Sequence, residues 1–357
     1  MMITRRQWLL ASSAFAAAMP MSSARGLAQG LRPLKFGVGL KAMGPAVINT
    51  VIGEALGYNK AEGFTIAPAS LGTNANVQIA IDKGDVDIGI GVPSFGLPLL
   101  AKGEWQGALN YYQYTYPYKW DVAVNPDSGI KSYADLKGKQ VGVSDFGGTE
   151  FPVTKRVLKS LGIDPEVDVK WIPVGNGVQA GVALQRGNID ALAYYDTGFG
   201  QIEGAKIELR FLPRPDNLPM IGGQFLTARK PFLAEQRNLA VGLGRSVAKA
   251  STFLLASPEA GAAAFLKMYP ETAPRGSSTE DAVKAVVQAI ARRVQLYKPP
   301  YANTKMGQIN ETEFRVEAEL GGLKVSDLSG FYTNDLIEEI NRFDAAQITA
   351  DAKAYKI

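Results

Sequence analysis

The residues best placed to do chemistry lie in short glycine-rich loops, each following an apolar run and preceding a helical pattern. Ser144-Asp145-Phe146-Gly147-Gly148-Thr149-Glu150 is the clearest, leading into a helix expected over Phe151 to Leu161 and ended by Gly162. Small residues let a ligand approach the main chain. The free N–H groups of a helix N-terminus, here around Gly148 and Thr149, favour a sulfonate, nitrate or carboxylate. Gly72-Thr73-Asn74-Ala75-Asn76 has the same form, with Thr73 or Asn74 as N-cap of a helix reaching Lys83. Pro173-Val174-Gly175-Asn176-Gly177 offers the Asn176 amide in a third such loop. Asp145, Glu150 and Asp196 pull the other way, since carboxylates in one cleft cancel positive potential and suit an amine-bearing or heteroaromatic ligand.

Composition excludes several other chemistries. The 357 residues contain no Cys and no His, which removes thiolate nucleophiles, disulfides, Ser-His-Asp triads and His metal sites. No catalytic residue, metal or cofactor is expected. Gly37-x-Gly39-x-x-Ala42 matches a dinucleotide fingerprint in form, but that motif needs an acid closing the next strand, and Phe64-Thr65-Ile66-Ala67-Pro68 has none. The formal charge of +4 drops to +1 without Arg5, Arg6 and Arg25, the charged residues among the first 28. Such a chain lacks the dense basic face a nucleic-acid partner requires.

The loops are positioned by a repeated unit. Ala80-Ile81-Asp82-Lys83-Gly84-Asp85-Val86-Asp87, followed by Ile88-Gly89-Ile90-Gly91, recurs as Ala183-Leu184-Gln185-Arg186-Gly187-Asn188-Ile189-Asp190, followed by Ala191-Leu192-Ala193-Tyr194. Each copy reads as a helix with a basic last turn, a capping Gly and a strand apolar throughout. Continuous apolar character suits a strand covered on both faces by helices. In open α/β sheets, ligands bind in the crevice at the carboxyl ends of strands, so Ser94 after the first copy and Asp196 after the second are candidate contacts. Two such units predict two α/β lobes facing one cleft, with Lys41, in the loop after the first strand, at its edge.

From Tyr111 to Trp120 aromatic residues fall almost on alternate positions, which places Tyr112, Tyr114, Tyr116, Tyr118 and Trp120 on one strand face. Pro117 marks an edge or crossing segment, and Tyr118 and Trp120 are expected at the cleft. A second crossing is expected in the proline-bearing stretch Arg210 to Gly223. The predicted lobes are 29–118 with 226–357, and 119–225. Helices from Leu239 onward are expected on the first lobe, with Arg292, Arg293 and Lys298 on a solvated face. No second long apolar segment is evident. The start, Thr4-Arg5-Arg6-Gln7-Trp8-Leu9-Leu10 and an apolar stretch through Ala18, reads as a twin-arginine export signal over 1–28 with cleavage after Ala28, pointing to a periplasm.

One stretch carries a family resemblance. Ser128-Gly129-Ile130-Lys131-Ser132-Tyr133-Ala134-Asp135-Leu136-Lys137-Gly138-Lys139-Gln140-Val141-Gly142-Val143 resembles a signature of periplasmic solute-binding proteins of bacterial ABC importers, in the nitrate, taurine and alkanesulfonate group that includes thiamine-pyrimidine binders. Glu54-Ala55-Leu56-Gly57-Tyr58-Asn59-Lys60-Ala61-Glu62-Gly63-Phe64 and both repeat units are similar to that family as well. The resemblance implies a type II two-lobed α/β binding fold with two hinge crossings, no enzymatic activity, and capture of a small solute of alkanesulfonate, taurine or nitrate type. It implies permease and ATPase subunits as partners and a monomer in solution. An aromatic carboxylate or aminopyrimidine ligand, or a ligand-sensing adaptor role at a receptor, stays open. The pyrimidine-forming enzymes of the same fold carry His and Cys chemistry that this chain lacks.

Overall fold

A computed structural model describes residues 30–216 and 218–357; the paired arginines and the expected cleavage site lie outside them. The described residues form two five-stranded sheets. The first lobe holds β1 (Arg32–Val38), β2 (Phe64–Ser70), β3 (Ile88–Gly91) and β4 (Ala108–Thr115). The chain then crosses to the second lobe, where β5 (Trp120–Val124), β6 (Gln140–Val143), β7 (Lys170–Pro173), β8 (Ala191–Tyr195) and β9 (Arg210–Phe211) lie. It returns to the first sheet as β10 (Gln224–Arg229). The orders β2-β1-β3-β10-β4 and β7-β6-β8-β5-β9 are the same arrangement twice. In each, the strand that arrives from the other lobe is inserted fourth and runs antiparallel to its neighbours.

The repeated unit explains this likeness. Gly84 and Gly187 follow the helices Asn74–Lys83 and Val178–Gln185 at φ 78° and 73°, left-handed values that favour glycine. Asp87 then accepts from the Lys35 N–H of β1 at 2.9 Å and donates its own N–H to the Lys35 carbonyl at 3.0 Å. Asp190 does the same with Gln140 of β6, at 2.8 Å in both directions. In both lobes the aspartate of the unit fastens the strand that leads to the next loop.

In the main core of the first lobe Leu34, Phe36, Ile88 and Ile90 meet Leu243, Val247 and Leu254 of the helix Arg237–Ala256, with smaller clusters around Ile81 and around Phe225 and Phe314. That helix is long and apolar enough to span a bilayer by composition, a feature that scanning for long apolar runs passes over, but most of it is buried within the lobe. The second sheet carries a separate core on each face. Tyr111 and Tyr112 are both buried, so β4 is covered on both faces rather than presenting one aromatic side. Only four residues, 116–119, make the first crossing. The second ends before Gln224, which places Gln224 and Phe225 in the first sheet instead of the second lobe.

The carboxyl-terminal helices do not keep to the first lobe as expected. Thr279–Val294 sends Val286, Ile290 and Val294 into the first core and lays its other side on the helix Asp196–Gly204 of the second lobe. Their backbones meet at Gly200, where a Cβ would stand 2.6 Å from the Ala289 carbonyl oxygen. Glu311–Leu320 likewise touches both Pro93–Ala101 of the first lobe and Glu150–Ser160 of the second. These helices strap the two lobes together.

Candidate functional site

A cavity of about 60 Å³ lies between the lobes, and both supply its walls. From the first lobe come Gly39, Thr73 and Asn74; from the second come Gly148, Thr149, Glu150 and Asn176. The helices Asn74–Lys83 and Glu150–Ser160 therefore present their N-termini to one space. Thr73 caps its helix through a bond from the Asn76 N–H to its hydroxyl at 3.2 Å. Asn74 donates through Nδ2 to the Thr149 hydroxyl at 2.8 Å, which joins the lobes across the cavity. The approach is close enough to require glycine opposite: a Cβ on Gly39 would sit 2.2 Å from Asn74, and one on Gly147 would sit 2.8 Å from Thr73.

The floor carries charged groups, of which Lys119, Glu150, Asp196 and Arg293 are buried and Asp145 is half-buried. Lys119, from the first crossing, donates through Nζ to Gln224 Oε1 and lies 4.8 Å from the Trp120 ring centre. Burial, followed by the Arg293 guanidinium, holds its ammonium well below the ordinary lysine range. Arg293 is fully buried; it donates to Asp196 through Nε at 2.7 Å and Nη2 at 2.5 Å, and to the Ala46 carbonyl through Nη1 at 2.6 Å. Burial opposes its charge, yet Asp196 more than compensates and stabilises the cation. Glu150 accepts the Ser144 N–H at 2.9 Å and the Ser144 hydroxyl on the same oxygen. Burial pushes its carboxyl up, against the pull of those bonds. Asp145 accepts the Gly147 N–H of its own loop at 2.8 Å.

This arrangement changes the charge balance expected from the loops. Asp196 is occupied by Arg293, Asp145 by its own turn, and Glu150 by Ser144 in surroundings that favour its neutral form. Two helix N-termini and the Lys119 amine, whose charged form burial disfavours, then face the space, with the Asp196-paired Arg293 in its wall, a setting that an anion completes.

Of the expected contacts, Thr73, Asn74, Trp120, Gly148, Thr149, Glu150 and Asn176 line the cavity. Asp196 lies behind it, holding Arg293. Lys41 lines an adjoining chamber instead. Ser94 is turned away: its hydroxyl donates to Glu317 at 2.5 Å. Tyr118 packs beside Trp120 and beneath the Arg214 guanidinium, 4.4 Å from its ring centre, and does not line the cavity. Sequence reasoning missed Lys119, Gln224, Tyr195 and Arg293. Arg293 is expected on a solvated face, since on an amphipathic helix it adjoins Arg292; Arg292 is half exposed and pairs with Glu203 of the second lobe, whereas Arg293 points inward. The one signal for Lys119 is that it stands as a lone cation within the aromatic run.

Two like sheets, two crossings and a cavity between lobes define the periplasmic binding protein fold. Residues 45–261 match the family model described as NMT1/THI5 like, and the chain belongs to that family. Among solved structures, a protein from Bordetella bronchiseptica RB50 is similar at 22% identity and TM-score 0.67, covering 87% of this chain and 96% of that one. The alkanesulfonate-binding protein SsuA from Xanthomonas axonopodis pv. citri, bound to MOPS, is similar at 16% identity and TM-score 0.61, with 86% and 100% covered. The periplasmic nitrate-binding protein NrtA from Synechocystis PCC 6803 gives 12% identity and TM-score 0.57, with 92% and 99% covered. A stretch of 99 residues, 27% of this chain, is 34% identical to an ATP phosphoribosyltransferase of Thermodesulfovibrio yellowstonii and spans 31% of that protein's length.

Proposed function

We propose that this protein is the solute-binding component of an ABC importer, acting outside the cytoplasm as a monomer that captures a small anionic organic solute between its lobes and delivers it to the permease and ATPase subunits. The observation that carries this reading is the cavity walled by both lobes, into which one helix N-terminus from each is directed. The sulfonate and nitrate binders of the same fold support the solute class, and the absence of His and Cys supports binding without bond making. Binding energy acts by shifting the balance between lobe arrangements.

Within this site Thr73, Asn74, Gly148 and Thr149 hold the anionic head, Lys119 neutralises it, and Trp120 forms a face of the cavity. An anion beside Lys119 restores the ammonium form that burial disfavours, so binding takes up a proton and weakens as pH rises.

Thermal shift against alkanesulfonates, taurine, aromatic carboxylates and aminopyrimidines tests the proposal. A ligand at a hundred times its dissociation constant adds about 2.7 kcal/mol, a shift of a few degrees. The expected result is a shift with an anionic solute that is lost in Lys119→Met. That variant should itself be no less stable, because Gln224 Oε1 keeps the Tyr114 hydroxyl at 2.5 Å and a buried amine is removed. A shift confined to amino-bearing rings would overturn the anionic reading and make Glu150 the ligand contact.

A further inference from the structure

The inner cavity has a neighbour. A chamber of about 260 Å³ adjoins it and shares Leu40, Ala46, Asn176 and Tyr195 as lining residues. The Tyr195 hydroxyl donates to Asn176 Oδ1 at 3.2 Å, so two residues common to both spaces are tied to one another. The chamber differs in character from the inner cavity. Leu40, Met43, Pro45 and the Tyr195 ring give it apolar surface, while Lys41, Gln201 and Thr197 add polar groups.

Thr197 is the informative residue. It is 2% exposed, and its hydroxyl has no hydrogen-bond partner among the described residues. Its backbone N–H is satisfied by Asp196 Oδ1 at 2.7 Å. A buried hydroxyl without a partner costs free energy unless something completes it, and the residue that carries this one lines the chamber. The exposed Lys41 in the same wall adds a cation on a flexible stem.

We propose that the chamber is a second compartment of the binding site, which takes the tail of an elongated solute ending in an oxygen that bonds Thr197, while its anionic head occupies the inner cavity. The proposal rests on the capture function above and narrows it: the solute is a linear ω-oxygenated alkyl anion, larger than nitrate or taurine.

Calorimetry on the full chain tests this with methanesulfonate, butanesulfonate and 4-hydroxybutanesulfonate, alongside acetate, butyrate and 4-hydroxybutyrate. Each buried methylene should tighten binding roughly threefold to fourfold, and the terminal hydroxyl should add about fivefold. Thr197→Val, which removes no existing hydrogen bond, should bring the affinity ratio of the hydroxylated to the plain ligand down to about one in each series. Met43→Trp, which fills the chamber, should flatten the dependence on chain length. If methanesulfonate and acetate bind as tightly as the longer ligands, or Thr197→Val leaves the hydroxyl's gain intact, this proposal fails while capture of an anion stands. If neither series binds at all, the capture of a linear anion fails and the second compartment falls with it.

Discussion

The two repeated units hold the same strand in the same place and then diverge. After β3 the chain reaches Ser94, whose hydroxyl donates to Glu317 and whose carbonyl accepts Arg156 Nη2 at 2.9 Å. After β8 it reaches Asp196, which holds Arg293. Each loop thus ends at a buried arginine–carboxylate pair that ties the second lobe to a carboxyl-terminal helix. Arg156 of the second lobe meets Glu317 at 3.1 Å, and Arg293 of the helix strap meets Asp196. Only the second tie faces the cavity. Duplicating a unit copies the scaffold; the residues just beyond the strand decide whether a loop becomes structure or part of a site.

Breaking either tie should be costly. Asp196→Ala leaves a fully buried guanidinium without its counter-ion and should cost about 3–5 kcal/mol in urea unfolding. Glu317→Ala should cost a similar amount, about 3–5 kcal/mol, because besides Arg156 it orphans the Ser94 hydroxyl and the Gly222 N–H. A markedly smaller loss at Glu317 would mean that water reaching Arg156, whose side chain is 10% exposed, replaces the missing partner.

A second carboxylate sharpens the contrast at the Glu317 tie. Glu313, one turn earlier on Glu311–Leu320, accepts Gln113 Nε2 and the Tyr301 hydroxyl, each at 2.8 Å. Burial pushes its carboxyl up to about 7, against the pull of those bonds. The folded state therefore binds this proton more tightly than the unfolded chain does. The resulting stability is complete below the unfolded value of about 4.3 and is lost as pH rises through about 7, by about 3–4 kcal/mol. Denaturation midpoints across that range should fall in the native protein, and Glu313→Gln should flatten the slope.

The smallest difference between the units lies at their glycines. Gly187→Ala should cost about 1 kcal/mol for its left-handed backbone alone, as open space surrounds it. Gly84→Ala should cost more, since its Cβ would lie 2.8 Å from the Arg229 guanidinium. Matching melting temperatures for the two variants would mean that Arg229 moves aside freely.

Much of this architecture could be read from residue patterns. The Gly of each unit and the apolar run after it announced a helix end and a buried strand, because both are local signals; the fastening by Asp87 and Asp190 was not legible, since their partners lie 52 and 50 positions away on another strand. The loops at 72–76 and 144–150 were legible for the same local reason. The residues that escaped were set by distant packing. Arg293 and Arg292 are neighbours on one helix, and nothing in their spacing says that the second lobe covers one of them. Lys119 and Gln224 are 105 positions apart and meet only because both crossings pass beneath the cavity. Ser94 occupies the kind of loop that makes sites, yet a helix more than two hundred residues later claims its hydroxyl.

Trp120 connects these features in a way that can be seen optically. Its indole lines the cavity beneath the Lys119 ammonium and rests against Gly222 of the second crossing, where a Cβ would lie 2.1 Å from the ring. Trp105 packs against Phe331 and Trp171 against Phe151, away from that space. A change of charge in the cavity and a displacement of the crossing would both alter the emission of this one chromophore, giving the protein a built-in fluorescent reporter of occupancy.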